Sequence, residues 1–127
     1  MTDASPFAVT FRQDNPHASD RVGVYEQALG FAALVDGILD KAQGRFHLKD
    51  TLDRGSTAVA MRIAQAAGEL AKGDRRSQYR NALRHATDCA AVLDILSRRG
   101  ALHAEMYEPA RTLIAALVAQ LAHLATR

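Results

Sequence analysis

The sequence has no tryptophan and a single cysteine, and aromatic residues make up only 6% of it. One cysteine, Cys89, excludes an intrachain disulfide and is typical of a reducing compartment. No apolar run approaches the roughly 20 residues that a membrane span requires. The first residues also lack the basic start and the apolar run of a signal peptide. The sequence therefore predicts a cytoplasmic protein without a membrane partner.

Recognisable catalytic and metal-binding motifs are missing as well. The sequence contains no phosphate-binding glycine loop, no Gly-x-Ser-x-Gly motif and no Glu-x-x-His pair of the kind that di-iron bundles use. Its five histidines are scattered, and none forms a His-x-x-x-His pair. We therefore expect no enzymatic activity, no catalytic residues, no metal and no cofactor.

What the sequence does contain is helical periodicity. Hydrophobic residues make up 48% of the chain, and many of them are alanine, the best helix former. Apolar residues recur at spacings of three and four over residues 21–43, 48–71 and 75–98, and over a last segment that starts between His103 and Pro109. Short links force neighbouring helices to run antiparallel. We predict an all-α fold, an antiparallel up-down-up-down four-helix bundle over residues 20–127.

Residues 1–19 have a different pattern and are predicted to form an N-terminal arm. Pro6 and Pro16 disfavour a helix. Phe7, Val9 and Phe11 alternate with smaller or polar residues, as in an extended strand. Two interpretations remain open. The arm is either a disordered leader or an extended segment laid on a neighbouring helix or subunit.

Each predicted helix has a stripe that we expect to be buried. The first stripe comprises Val22, Tyr25, Ala28, Leu29, Ala32, Leu34, Val35 or Asp36, Ile38 and Leu39. The second comprises Leu48, Leu52, Ser56, Val59, Ile63, Ala67 and Leu70. The third comprises Tyr79, Ala82, Ala86, Cys89 or Ala90, Leu93 and Leu96. The fourth comprises Leu113, Ile114, Leu117, Val118, Leu121 and Leu124.

Glycine, proline and capping residues predict where the helices end. Ser19 or Asp20 is expected to cap the first helix, and Gly44 and Gly100 to end the first and third in left-handed conformations. The Gly73-Asp74 pair is expected to separate the second and third helices, and Pro109 to lie in or just before the first turn of the fourth. Gly23, Gly30 and Gly37 recur every seven residues. They either admit a neighbouring backbone or are merely tolerated.

Residues 48–94 carry a family resemblance. Its elements are Leu48, Leu52, Arg54 and Gly55-Ser56, then 62–66 (RIAQA), then Tyr79 and 82–94 (ALRHATDCAAVLD). This stretch resembles the four helix bundle protein family, also called the 23S rRNA intervening-sequence proteins. The chain departs from that pattern at Arg62, Gln65 and Ala66, where the family has Asn, Glu and Gly, and at Arg84-His85, where it has Gly-Ser.

The resemblance implies a four-helix bundle that assembles with itself, typically as a ring-like homopentamer. Some relatives are encoded inside rRNA genes. Others resemble the accessory protein of diversity-generating retroelements, a basic pentamer that partners a reverse transcriptase and nucleic acid. None of this implies an enzymatic activity.

Positive charge is concentrated at the start of the third predicted helix. Residues 72–84 hold five basic side chains against one acid, Asp74. Arginine forks suit phosphate oxygens. The candidate nucleic-acid-binding residues are Arg62, Lys72, Arg75, Arg76, Arg80 and Arg84. The alternative is a solvated face with ion pairs, for instance Arg84 with Asp88 one helical turn away.

Two further residues are predicted to be structural. Cys89 lies on an apolar stripe and is expected to be a buried, unreactive thiol. Asp88 is expected to form an ion pair with Arg54 or Arg84 in the bundle. The sequence as a whole predicts a non-enzymatic oligomeric bundle that binds RNA or DNA backbone without strong sequence preference. The alternative is a protein-interaction scaffold with no nucleic-acid role.

Overall fold

A computed structural model of the protein describes residues 18–127, with side chains from Gly23 onward. These residues form four helices, α1 (Ala18–Lys41), α2 (Phe46–Gly68), α3 (Lys72–Arg98) and α4 (Ala104–Thr126). No strand occurs between residues 18 and 127, so the all-α, four-helix prediction is confirmed. Residues 1–17, which hold nearly all of the predicted arm, lie outside the described residues. None of the described helices is long and apolar enough to cross a membrane.

The four helices pack in chain order around one core. α3 packs on α2 and α4, and α1 closes the arrangement against α2 and α4. Tyr107, near the start of α4, donates a hydrogen bond of 2.7 Å to Asp94, near the end of α3. Arg80, near the start of α3, donates to the carbonyl of Ala125, near the end of α4. Such contacts join opposite ends of neighbouring helices, as the predicted antiparallel arrangement requires.

The predicted buried stripes of α2, α3 and α4 agree closely with the observed core. All the residues predicted for α3 are buried, and in α4 only Leu113 and Val118 are partly exposed. In α2, Leu48 is partly buried. Leu70 is 74% exposed, because α2 ends at Gly68 and Leu70 lies in the link that follows.

The predicted stripe of α1 is wrong in part. Leu29 and Leu34 are exposed, whereas Phe31, which the stripe omitted, is fully buried. The observed buried residues are Val24, Ala28, Phe31, Val35, Ile38 and Ala42. Apolar and small residues surround this helix on all sides. Periodicity therefore could not decide which side faces the core.

Two of the predictions about helix ends are confirmed and three are wrong. Gly44 and Gly100 have positive φ, 60° and 74°, as expected. Gly73 and Asp74 do not separate the helices, because α3 begins earlier, at Lys72. Pro109 lies one turn deeper in α4 than predicted, since that helix begins at Ala104. The predicted cap residues of α1, Ser19 and Asp20, lie within the helix, before the first described side chain.

The closest approach at a glycine is at Gly55, between α2 and α3. A Cβ atom placed there would lie only 2.7 Å from the Sγ of Cys89. Cys89 is fully buried, and burial, with a smaller contribution from the charge of Asp88, raises its pKa to about 12. The thiol is therefore protonated at neutral pH, as expected of an unreactive core residue.

The three glycines of α1 do not admit another backbone of the described chain. A Cβ at Gly23 would meet nothing within 4 Å, and one at Gly30 would lie 3.8 Å from a methyl group of Leu113. One at Gly37 would lie 3.4 Å from the terminal methyl group of Met106. Within the bundle, the prediction of close backbone approach at these glycines is wrong, because their neighbours are side-chain tips.

Candidate nucleic-acid interface

Four of the six predicted binding residues lie in the first three turns of α3, at one end of the bundle. We call this group, Lys72, Arg75, Arg76 and Arg80, the cationic end. Because neighbouring helices are antiparallel, the last turns of α2 and α4 lie at the same end. The carbonyls of a helix C-terminus carry partial negative charge and lack helical partners. They are natural acceptors for the arginines beside them.

Arg75 caps the end of α2. Its Nη1 donates to the carbonyls of Glu69 at 3.2 Å and Leu70 at 3.0 Å. These bonds hold the chain where it leaves α2, which explains how the link turns without the predicted glycine stop. Arg75 is therefore partly a structural residue, although its side chain remains partly exposed.

Arg76 and Arg80 lean in the other direction, onto the end of α4. Arg76 donates to the main-chain oxygen of Arg127 at 3.2 Å, and Arg80 to that of Ala125 at 3.4 Å. Lys72 is exposed, with no hydrogen-bond partner among the described residues. The cationic end thus faces two helix termini and leaves its lysine in solvent.

Arg62 lies apart from the cationic end, in an open groove between α2 and α3 with a volume of about 500 Å³. We call this the α2–α3 groove; it is lined by Asp53, Arg54, Thr57, Ala58, Met61, Arg62 and His85. Nη1 of Arg62 donates to the side-chain oxygens of Gln65 at 3.2 Å and of Gln78 at 3.4 Å. Gln78 belongs to α3, so this arginine is held across the groove.

The expected ion pairs of Asp88 are wrong. Arg84 donates to Asn81 on its own helix at 3.4 Å, and Arg54 pairs with Asp50 at 3.0 Å. Each arginine has an acceptor one turn before it on its own helix, so neither reaches Asp88, which is exposed. Arg84 is exposed as well and lies beside His85 of the α2–α3 groove in the sequence.

Four of the five candidate arginines share one kind of acceptor. Arg62, Arg75, Arg80 and Arg84 donate to backbone carbonyls or side-chain amides, and none donates to a carboxylate in the described part of the chain. A neutral acceptor orients a guanidinium without cancelling its charge. In each case Nη1 alone is engaged, while a guanidinium offers five donors. The remaining donors and the full charge stay available to an anion.

The predicted residues also missed part of the site. Arg54, Met61 and Thr57 line the α2–α3 groove but were not among the six candidates. Arg54, Ala58 and Arg62 recur every fourth residue on α2, a spacing that places them on one face. That spacing was visible in the sequence, but only the packing of α3 shows that it borders a groove.

A second polar cluster lies at the opposite end of the bundle, between α3 and α4. Asp94 accepts hydrogen bonds from Tyr107 at 2.7 Å and from Nε of Arg111 at 2.9 Å. The Tyr107 bond first, and then Arg111, hold the pKa of Asp94 below its usual value. The same bond to the carboxylate raises the pKa of Tyr107. Because the three side chains form hydrogen bonds with one another, the cluster has a structural role and holds α3 to α4.

The described residues contain no group of three or more His, Cys, Asp or Glu side chains that could hold a metal ion. The expectation that the protein uses no metal stays a prediction.

The comparisons with known proteins bear on the fold. The chain is similar to a solved structure from Bacteroides thetaiotaomicron, described as a protein of unknown function from the S23 ribosomal protein family. The two share a TM-score of 0.76 at 20% sequence identity, over 82% of this chain and 99% of the other. No family model and no curated protein matches the sequence. At this identity the likeness shows a shared four-helix fold.

Proposed function

We propose that this protein is a non-enzymatic helical bundle that binds the phosphate backbone of RNA or DNA. The contact surface comprises the cationic end, Arg62 of the α2–α3 groove and Arg84, which precedes the groove residue His85 in the sequence. The observation that carries the proposal is the neutral bonding of four arginines, which fixes their positions but leaves their charge unbalanced. Phosphate oxygens would then complete the guanidinium hydrogen bonding.

The proposal predicts a binding affinity that depends steeply on salt. Each phosphate contact releases condensed counterions, so the logarithm of affinity falls linearly with the logarithm of salt concentration. The test is a fluorescence anisotropy titration of labelled RNA and DNA between about 50 and 200 mM salt. Undetectable binding at the lowest salt concentration would contradict the proposal.

The variant Arg62→Gln/Arg84→Gln removes two charges from the surface without touching a helix cap. We expect weaker binding to every sequence and a salt slope that is shallower by about two, one for each lost contact. The matched control is Arg98→Gln/Arg99→Gln, which removes the same charge from two exposed residues at the C-terminal end of α3, away from Arg62 and Arg84. Equal losses in both variants would show that net charge, rather than this surface, drives the binding.

A second proposal concerns self-association, which the family resemblance gives as a pentamer. The supporting observation is a set of apolar side chains exposed on the outer surface of α1 and α4. It includes the exposed side chains of Leu29 and Leu34 and the exposed alanines Ala115, Ala116, Ala119 and Ala122. Apolar surface of this kind is stabilised when a second copy covers it.

Light scattering at micromolar concentration tests self-association. We expect an oligomer that Ala119→Glu weakens, since a charge would be buried without a partner. The control is Ala91→Glu, an exposed alanine on the outer side of α3. A stable monomer would refute this proposal. If the protein formed an oligomer but did not bind nucleic acid, it would be better described as an interaction scaffold.

A further inference from the structure

The α2–α3 groove contains one residue that phosphate binding does not explain. Met61 is 54% exposed and lies beside Arg62 on the lining of the groove. The other lining side chains are Asp53, Arg54, Thr57, Ala58 and His85. A large apolar side chain left in water among polar neighbours contributes little to the bundle. A ligand that brings an apolar surface of its own could pack against it.

The charges along the groove are unevenly distributed. Arg54 forms an ion pair with Asp50, so its charge is largely offset. Arg62 donates only to amides and retains its charge. The two arginines are eight residues apart on α2, or about 12 Å along the helix axis. The anion-binding end of the groove is therefore at Arg62, with Met61 beside it and Ala58 one turn away.

An unpaired nucleotide supplies both surfaces that this arrangement needs. Its phosphate suits Arg62, and its base offers a flat aromatic face to the polarisable thioether of Met61. A duplex keeps its bases stacked inside and shows the protein mainly phosphate and sugar. A methionine on the rim of the groove would gain little from it.

We infer that the α2–α3 groove takes single-stranded RNA or DNA, with its phosphate at Arg62 and an unpaired base packed on Met61. This inference rests on the proposed function and adds the substrate class. Methionine is flexible and fits irregular surfaces, so the contact accepts any of the bases. The preference is for strandedness rather than for sequence.

The test compares a single strand of about 12 nucleotides with the duplex of the same sequence, by fluorescence anisotropy on the full chain. We expect the single strand to bind more tightly. Met61→Ala should weaken single-strand binding by about 2- to 10-fold, leave the salt slope unchanged and leave duplex binding unaffected. Met61→Phe should restore single-strand binding, because an aromatic ring stacks on a base.

Ile95→Ala is the matched control, since Ile95 is an exposed apolar residue of α3 that does not line the groove. It should leave both affinities unchanged. Tighter binding of the duplex, or an equal loss on both ligands in Met61→Ala, would overturn the single-strand inference while the proposed function stood. Failure of both ligands to bind at low salt would overturn the proposed function itself.

Discussion

The α2–α3 pair and the α1–α4 pair of this bundle are built differently. Between α2 and α3, Gly55 leaves just enough room for the buried thiol of Cys89, and arginines occupy the outer surface. Between α1 and α4, Gly30 and Gly37 face only the tips of Leu113 and Met106, and the outer surface carries exposed leucines and alanines. One pair has a close-fitting interior and a charged exterior. The other has more room at its glycines, and its exterior carries apolar side chains beside acidic ones such as Glu26, Asp36 and Glu108.

The comparison shows that one residue type serves different purposes in one fold. Glycine in α2 is required by the packing, whereas Gly23 in α1 faces open space. A glycine inside a helix lowers stability by roughly 0.5–1 kcal/mol relative to alanine. At Gly55 the close packing of Cys89 offsets this loss, whereas no contact offsets it at Gly23. The exposed apolar side chains of α1 and α4 suit a second copy of the protein, while the arginines on the exterior of α2 and α3 suit an anion.

The largest expected effect tests how α1 is held in the bundle. Phe31→Ala should lower the free energy of unfolding by about 3–5 kcal/mol, because it empties a fully buried aromatic site. Urea denaturation measures the loss. The control is Leu29→Ala on the same helix, which should change stability by no more than about 0.5 kcal/mol, since Leu29 is 41% exposed. A larger loss of stability in Leu29→Ala than in Phe31→Ala would mean that the side of α1 bearing Leu29 faces the core.

The next effect tests the close fit between α2 and α3. In Gly55→Ala the new Cβ would approach the Sγ of Cys89 to 2.7 Å. Overpacking of this kind costs about 1–3 kcal/mol, more than the helix gains from losing a glycine. We expect net destabilisation in a urea melt.

A double-mutant cycle isolates that contact. Cys89→Ala removes the sulfur, so Gly55→Ala should cost clearly less in the Cys89→Ala background than in the original chain. Gly23→Ala is the matched substitution on α1, where a Cβ meets nothing within 4 Å. It should raise stability by about 0.5–1 kcal/mol. Additive effects of the two α2–α3 substitutions would show that the contact is not the cause.

The buried side of α3 was predictable from the sequence because each turn of the helix has apolar residues on one side and polar residues on the other. Every residue predicted to be buried there, from Tyr79 to Leu96, is buried. α1 offered no such contrast, and the burial of Phe31 and exposure of Leu29 depend on which side the other helices cover. The end of α2 was missed for a related reason. The carbonyls of Glu69 and Leu70, just beyond that end, accept hydrogen bonds from Arg75, which belongs to the next helix and leaves no local signal.

The candidate site was predictable in charge but not in geometry. The sequence located the basic residues near the start of α3, yet it could not show that Arg76 and Arg80 lean onto the end of α4. Nor could it show that Arg62 reaches across to Gln78, since those residues are brought together only by packing. Which acceptors these long side chains reach depends on how the adjacent helices pack.

The smallest effect tests whether the polar cluster that joins α3 to α4 adds stability at the boundary between the two helix pairs. Asp94→Asn should lower the free energy of unfolding at pH 7 by at most about 1 kcal/mol, because the ion pair with Arg111 is partly exposed.

The pKa of Asp94 is lowered in the folded protein. The contribution is therefore present above the usual aspartate pKa and is lost as pH falls through the lowered value. The original chain and the variant should converge in urea melts as the pH falls below the usual aspartate pKa of about 4. Asp88→Asn is the control, since the exposed Asp88 carboxylate receives no hydrogen bond from Arg54 or Arg84. A stability difference for Asp94→Asn that persisted at the lowest pH would trace its effect to packing rather than to charge.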